Sequence, residues 1–133
     1  MRYLLDTNIC IYIIKRKPPE VLERLTSLEP EEVGVSSITV AELEYGMARS
    51  SRPRQNRDAL INFLAPLQIL AFDDEAARHY GDIRVHLEKA GQPIGAMDLL
   101  IAAHARSLSL TLVTNNEKEF SRVPGLVVEN WTI

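Results

Sequence analysis

Carboxylic acids recur in this chain where an apolar segment gives way to the start of a helix. Asp6 follows Tyr3-Leu4-Leu5 and precedes the apolar run Ile9 to Ile14. Glu42 falls early in the helical segment after Val33-Gly34-Val35, Asp98 opens a helical segment after Gly95, and Asn116 and Glu119 follow Leu110 to Val113. In open parallel α/β sheets ligands bind outside the carboxyl ends of the strands, so acids at these junctions are candidates for chemistry. Like charges gathered at one edge are costly unless a cation sits among them, and carboxylates with an amide suit Mg²⁺ or Mn²⁺. Such a centre supports metal-assisted hydrolysis of a nucleic-acid phosphodiester, most effectively with two ions roughly 3.5 to 4 Å apart.

The elements that must position these groups follow from apolar periodicity. A buried strand at Tyr3 to Leu5 leads into a helix over Ile9 to Lys15, and Lys17-Pro18-Pro19 separates it from a helix over Glu20 to Leu28. Strand Glu32 to Ser36, helix Ile38 to Met47, the polar connection Ser50 to Arg54 and helix Gln55 to Leu64 come next. Strand Gln68 to Phe72 is followed by a long helix over Asp74 to Lys89, capped by Asp73 or Asp74, with Ala77, Tyr80, Ile83 and Leu87 in one stripe. Helix Met97 to Ser107, strand Leu110 to Val113 and strand Leu126 to Val128 complete the order. Strands separated by helices require crossovers, which predicts a parallel sheet covered on both faces.

Composition bounds the class. At 133 residues and 46% hydrophobic content the chain suits one domain, 1–133, with a genuine core. No apolar run approaches the roughly 20 residues that span a bilayer, and no basic segment with a cleavage site precedes the first one; a cytoplasmic location without membrane contact is expected. The single cysteine, Cys10, sits among isoleucines and is expected in the core of a protein from a reducing compartment. His79, His86 and His104 lack zinc-motif spacing, and neither a Gly-rich phosphate loop nor a nucleophile elbow is present.

Each acid also has a purely local role open to it. Thr39-Val40-Ala41-Glu42 has capping-box spacing, Asp98 suits the dipole of a first helical turn, Asp6-Thr7-Asn8 suits a helix-starting turn, and Glu119 suits a solvated helix. A noncatalytic interaction module with the acids as helix caps is therefore one alternative. An aspartyl-nucleophile phosphatase is another, but it would need a second acid where this chain has Asn8.

The joint arrangement is more specific than any single residue. Leu4-Leu5-Asp6-Thr7-Asn8, Ser36-Ser37-Ile38-Thr39-Val40-Ala41-Glu42-Leu43-x-Tyr45-Gly46, Gly95-x-x-Asp98-x-x-Ile101-Ala102-x-His104-Ala105 and Leu112-Val113-Thr114-Asn115-Asn116-x-x-Glu119-Phe120 resemble the ordered motifs of PIN-domain ribonucleases. More narrowly they resemble the VapC toxins of bacterial toxin–antitoxin pairs, over essentially the whole chain. The resemblance implies a PIN-like three-layer α/β/α fold with a central parallel sheet of four to five strands. It also implies a Mg²⁺-dependent endoribonuclease, with Mn²⁺ as a substitute, inhibited by a VapB-type antitoxin.

Carried across, Asp6, Glu42 and Asp98 match the family's metal-binding acids. Asn116 stands where many members have an acid, so Glu119, one helical turn on, is expected to complete the catalytic and metal set. Asn8 and Thr114 match polar positions that would orient Asp6 or the attacking water. A homodimer, a toxin–antitoxin hetero-oligomer and an RNA target, with initiator tRNA cut in its anticodon loop, are the implied partners and substrate. Nothing in the residues separates ribose from deoxyribose, which leaves a structure-specific DNA nuclease open.

The charge balance allows RNA. Setting aside Asp6, Glu42, Asp98 and Glu119, whose charges a metal would offset, turns a net charge of −3 into +1. Candidate phosphate contacts are Lys15, Arg16 and Lys17 beside the first helix and Arg49, Arg52, Arg54 and Arg57 around the exposed connection. The apolar faces of the first two helices are expected mainly in core packing, and any excess over what the sheet needs would leave a groove for a partner helix, a reading that the VapC resemblance strengthens.

Overall fold

A computed structural model describes all residues, Met1–Ile133. The element order is β1 (Tyr3–Leu5), α1 (Thr7–Lys15), α2 (Pro19–Thr26), a 3₁₀ turn (Pro30–Glu32), β2 (Val33–Ser36), α3 (Ser37–Ala48), α4 (Pro53–Leu64), β3 (Gln68–Leu70), α5 (Asp74–Lys89), α6 (Ala96–Ser107), β4 (Thr111–Val113), α7 (Glu117–Phe120) and β5 (Val128–Glu129). The five strands form one parallel sheet in the order β3-β2-β1-β4-β5. The chain winds outward from β1 in one direction and then crosses to β4 on the other side. The carboxyl ends on either side of β1 are therefore the switch point, where a crevice opens.

Strand alternation sorts the core into two layers. Tyr3 and Leu5 point to one face with Val33, Val35 and Val113, where Ile9, Cys10 and Ile13 of α1, Val21 of α2, Leu43 of α3, Leu60 of α4 and Trp131 cover them. Leu4 and Leu112 point to the other, under Ile83 and Leu87 of α5, the Leu99 to Ala105 face of α6, and Phe120. Cys10 is fully buried, as expected. The α5 stripe begins at Ala76 rather than Ala77, and the Asp73 carboxylate caps the helix through Ala76 N. No helix is long and apolar enough to cross a membrane.

Gly34 takes the place of a core side chain on the second face. A Cβ there would stand 2.9 Å from Met1 Sδ and 3.2 Å from the Gln68 carbonyl oxygen of β3. The Met1 side chain can yield, but the paired strand cannot. Gly34→Ala should therefore destabilise the fold by ~1–3 kcal/mol through overpacking, read by chemical denaturation; unchanged stability would show that β2 and β3 can spread.

Candidate active site

Asp6 is both the end of β1 and the cap of α1. Its Oδ1 accepts from Ile9 N at 2.8 Å, Asn8 N–H faces the same carboxylate, and the buried Thr114 hydroxyl, just past the neighbouring strand β4, lies near enough to favour its ionised form. The helix-starting turn is thus real, yet it does not account for a carboxylate only 3% exposed. Burial is the main cause that pushes its pKa from 3.8 up to about 6; Glu42 adds repulsion, and the hydrogen bonds hold the rise back.

Glu42 does not close a capping box. Ser36 caps α3 by accepting from Ile38 N at 3.1 Å, so the helix starts earlier and Glu42 lies beyond its first turn. Its Oε1 instead accepts from Thr7 Oγ1 at 2.6 Å, and Thr7 also reaches Thr39 Oγ1 at 3.3 Å. These threonines tie the start of α1 to α3. A hydroxyl one residue past Asp6 was the signal for Thr7.

Asp98 occupies the first turn of α6, where the helix dipole favours an ionised acid. Its pKa is nonetheless raised to about 6, first by burial and then by Glu119, Asp6 and Glu42. Burial first, and the neighbouring carboxylates second, thus keep the proton on Asp98 despite its place at a helix start. Glu119 is not a solvated residue: its Oε1 accepts from Gly95 N at 2.9 Å and its Oε2 from Asn116 Nδ2 at 2.8 Å. A Cβ on Gly95 would lie 3.5 Å from Asp98 Oδ2 and 3.9 Å from Glu119 Oε1, so this turn packs directly beside both acids.

The sheet therefore gathers Asp6, Glu42, Asp98, Glu119 and Asn116 at one edge. None of the six ion pairs in the chain involves these acids. Four carboxylates with no cation among them are a charge imbalance that hard-oxygen coordination of a divalent ion would relieve. The donor chemistry fits Mg²⁺ or Mn²⁺. Asp6, Glu42 and Glu119 as they stand are hydrogen-bonded to protein donors, and no group of three or more His, Cys, Asp or Glu is set to hold a metal ion.

Two groups of sequence-predicted residues take no part in the side-chain hydrogen bonds of the acids. The Asn8 side chain is exposed and makes no hydrogen bond, because α1 turns it outward; only its backbone N–H serves Asp6. Among the basic residues, Arg57 is paired with Glu44 at 3.0 Å, so its charge is already matched. Lys15, Arg16, Lys17, Arg52 and Arg54 are exposed, and the exposed Arg49 lays its guanidinium 5.4 Å from the Tyr45 ring centre. The apolar groove uses α1 but not α2. A cavity of about 430 Å³ opens between α1, α3 and α4, floored by Ile11, Ile14, Leu43 and Leu60, with Glu42, Lys15 and Arg49 on its walls.

Residues 3–126 match the PIN domain family. Ribonuclease VapC2 of Rickettsia felis is 46% identical over 98% of both chains, and the tRNA(fMet)-specific endonuclease VapC of Shigella flexneri is 44% identical over 99% of both. The chain belongs to the PIN domain family, among the VapC ribonucleases. Solved VapC folds superpose closely: VapBC2 from Rickettsia felis bound to a promoter DNA fragment gives a TM-score of 0.92 at 44% identity, covering 98% of this chain and 99% of that one. DNA-bound VapBC from Salmonella typhimurium gives 0.94 at 43%, covering 98% of each. The acid-lined edge is thus the candidate active site of a VapC ribonuclease with the expected three-layer fold and five strands.

Proposed function

We propose that this chain is the toxin of a toxin–antitoxin pair and a Mg²⁺-dependent endoribonuclease, with Mn²⁺ as a substitute, acting at the Asp6, Glu42, Asp98 and Glu119 edge. The observation that carries this reading is the convergence of four acids without a cationic partner at the sheet's switch point. A bound divalent ion would supply Lewis-acid stabilisation of the charge that develops on the phosphodiester. Asp6, Glu42 and Asp98 would hold it, with Glu119 and Asn116 completing the set in exchange for their present hydrogen bonds. Thr114 and the α1 backbone keep Asp6 aimed, and Thr7 keeps Glu42 aimed. Lys15, Arg16, Arg49, Arg52 and Arg54, all exposed, would meet RNA phosphates.

The finer proposal is cleavage of initiator tRNA, which the name of the Shigella flexneri relative, a tRNA(fMet)-specific endonuclease, supports; a cut in the anticodon loop and a cytoplasmic location are carried over from the family resemblance alone. A VapB-type antitoxin would hold the toxin inactive by seating an apolar segment in the α1, α3 and α4 groove and placing a basic side chain among the acids, in a toxin–antitoxin assembly built on a toxin homodimer. Incubation with initiator tRNA, an elongator tRNA and single-stranded DNA, each with Mg²⁺ or with EDTA, tests the activity. Cleavage of initiator tRNA that EDTA abolishes is expected, and equal cutting of DNA would favour the structure-specific DNA nuclease instead.

Asn116 provides a separate test of the ligand set. Asn116→Asp removes the amide that donates to Glu119 and adds a fifth charge, so the metal-free protein should lose stability. Mn²⁺ affinity should rise by about tenfold, the scale typical of changes at or beside metal ligands. Unchanged affinity by calorimetry would remove Asn116 from the set.

A further inference from the structure

His104 is a buried titratable group with no part in the chemistry above. It is 1% exposed, lies on α6 six residues after Asp98, and its Nδ1 stands 2.8 Å from Ser36 Oγ at the end of β2. The other ring nitrogen meets the backbone of Ala71, just past β3, and Phe72 packs edge-on against the ring at 5.5 Å. A ring that donates to the Ala71 carbonyl leaves Nδ1 to accept from the Ser36 hydroxyl. Ser36 Oγ in turn caps α3, and Ser37 Oγ accepts from Phe72 N at 3.1 Å. One polar joint thus unites α3, α6 and the end of β3 behind the acids.

The two helices that leave this joint carry acids of the site. Glu42 lies six residues beyond Ser36 on α3, and Asp98 six residues before His104 on α6, each ~9 Å of helix rise away. α3 and α6 pack against each other, and His104–Ser36 is the side-chain hydrogen bond that joins them. An apolar contact would permit sliding; a hydrogen bond inside the core fixes register, because leaving either group unpaired there is costly.

We propose that His104 is a positioning residue that, through Ser36, sets the separation of Glu42 and Asp98 across the ribonuclease cleft and thereby the site's affinity for its divalent ion. The inference rests on the metal-dependent reading above. Asparagine places an amide near the position of Nδ1, glutamine near that of the other ring nitrogen, and leucine at neither. Titration of Mn²⁺ alone by calorimetry, with melting temperatures and steady-state RNA cleavage, separates these cases.

His104→Asn should bind Mn²⁺ within about threefold of the wild type. His104→Gln and His104→Leu should bind it about tenfold more weakly and lose about tenfold in kcat, with KM for RNA unchanged. If folded His104→Leu and His104→Gln match the wild type in Mn²⁺ affinity and kcat, or if losses in all three variants simply follow melting temperature, His104 is only a core residue and the proposal falls. If the wild type itself binds no Mn²⁺, the metal reading fails and takes the proposal with it.

Discussion

Asp6→Asn should abolish RNA cleavage while making the metal-free protein more stable at neutral pH. The asparagine carbonyl can still accept from Ile9 N and asparagine is as good a helix cap as aspartate, so α1 keeps its start. What disappears is a charge held 3% exposed, whose pKa burial raises from 3.8 to about 6. Ionising that group in the fold costs ~3 kcal/mol relative to the unfolded chain, and the variant is relieved of it. Activity should fall by at least about 10²–10³, the usual cost of removing one preorganised electrostatic group, and more if the ion is lost altogether. Chemical denaturation and a cleavage assay on the same preparation check both halves. Wild-type cleavage by Asp6→Asn would refute the site, whereas lower stability would show that the carboxylate is a structural cap.

The stability of the metal-free protein should fall as pH rises from about 4 to about 7, and divalent metal should reverse the fall. Asp6 and Asp98 both bind protons more tightly folded than unfolded, with folded values of about 6 against 3.8. Between those values the native state holds more protons, so the stability they contribute is full below the unfolded value and is lost as pH rises through the folded one. His104, whose pKa burial lowers, has the opposite slope, as do Glu32, Glu75 and Asp82, whose pKa values their arginine or backbone partners lower. Subtracting the Asp6→Asn profile from the wild-type profile isolates Asp6, and that difference should steepen between pH 4 and 6. At pH 7.5, Mn²⁺ at a hundredfold excess over its Kd should add about 2.7 kcal/mol to the wild type and little to Asp6→Asn. A metal response of equal size in both proteins would place the ion elsewhere.

Much of the site was legible because its residues sit at element boundaries, where apolar periodicity stops. Asp6, Glu42 and Asp98 stand out by that position alone, and parallel topology carries them to one edge. Their neighbours were less legible. Thr39-Val40-Ala41-Glu42 scans as a capping box, yet Ser36 starts the helix sooner and frees Glu42 for Thr7. Glu119 scans as solvated, yet the turn before α6 brings Gly95 N to it from 24 residues away. Asn8 scans as a polar helper, yet helical phase points it outward.

By itself, then, the sequence determined the alternation of strands and helices, the layers of the core and the family, because these depend on local periodicity and on motifs written in order. The tertiary structure decided which groups pair across that order: Thr7 with Glu42, Glu119 with Gly95 and Asn116, His104 with Ser36, and the groove between α1, α3 and α4 rather than beside α2. Those pairings depend on strand order β3-β2-β1-β4-β5 and on helix phase. Neither is a local property, since a partner's identity is set by where the chain returns and not by what precedes it.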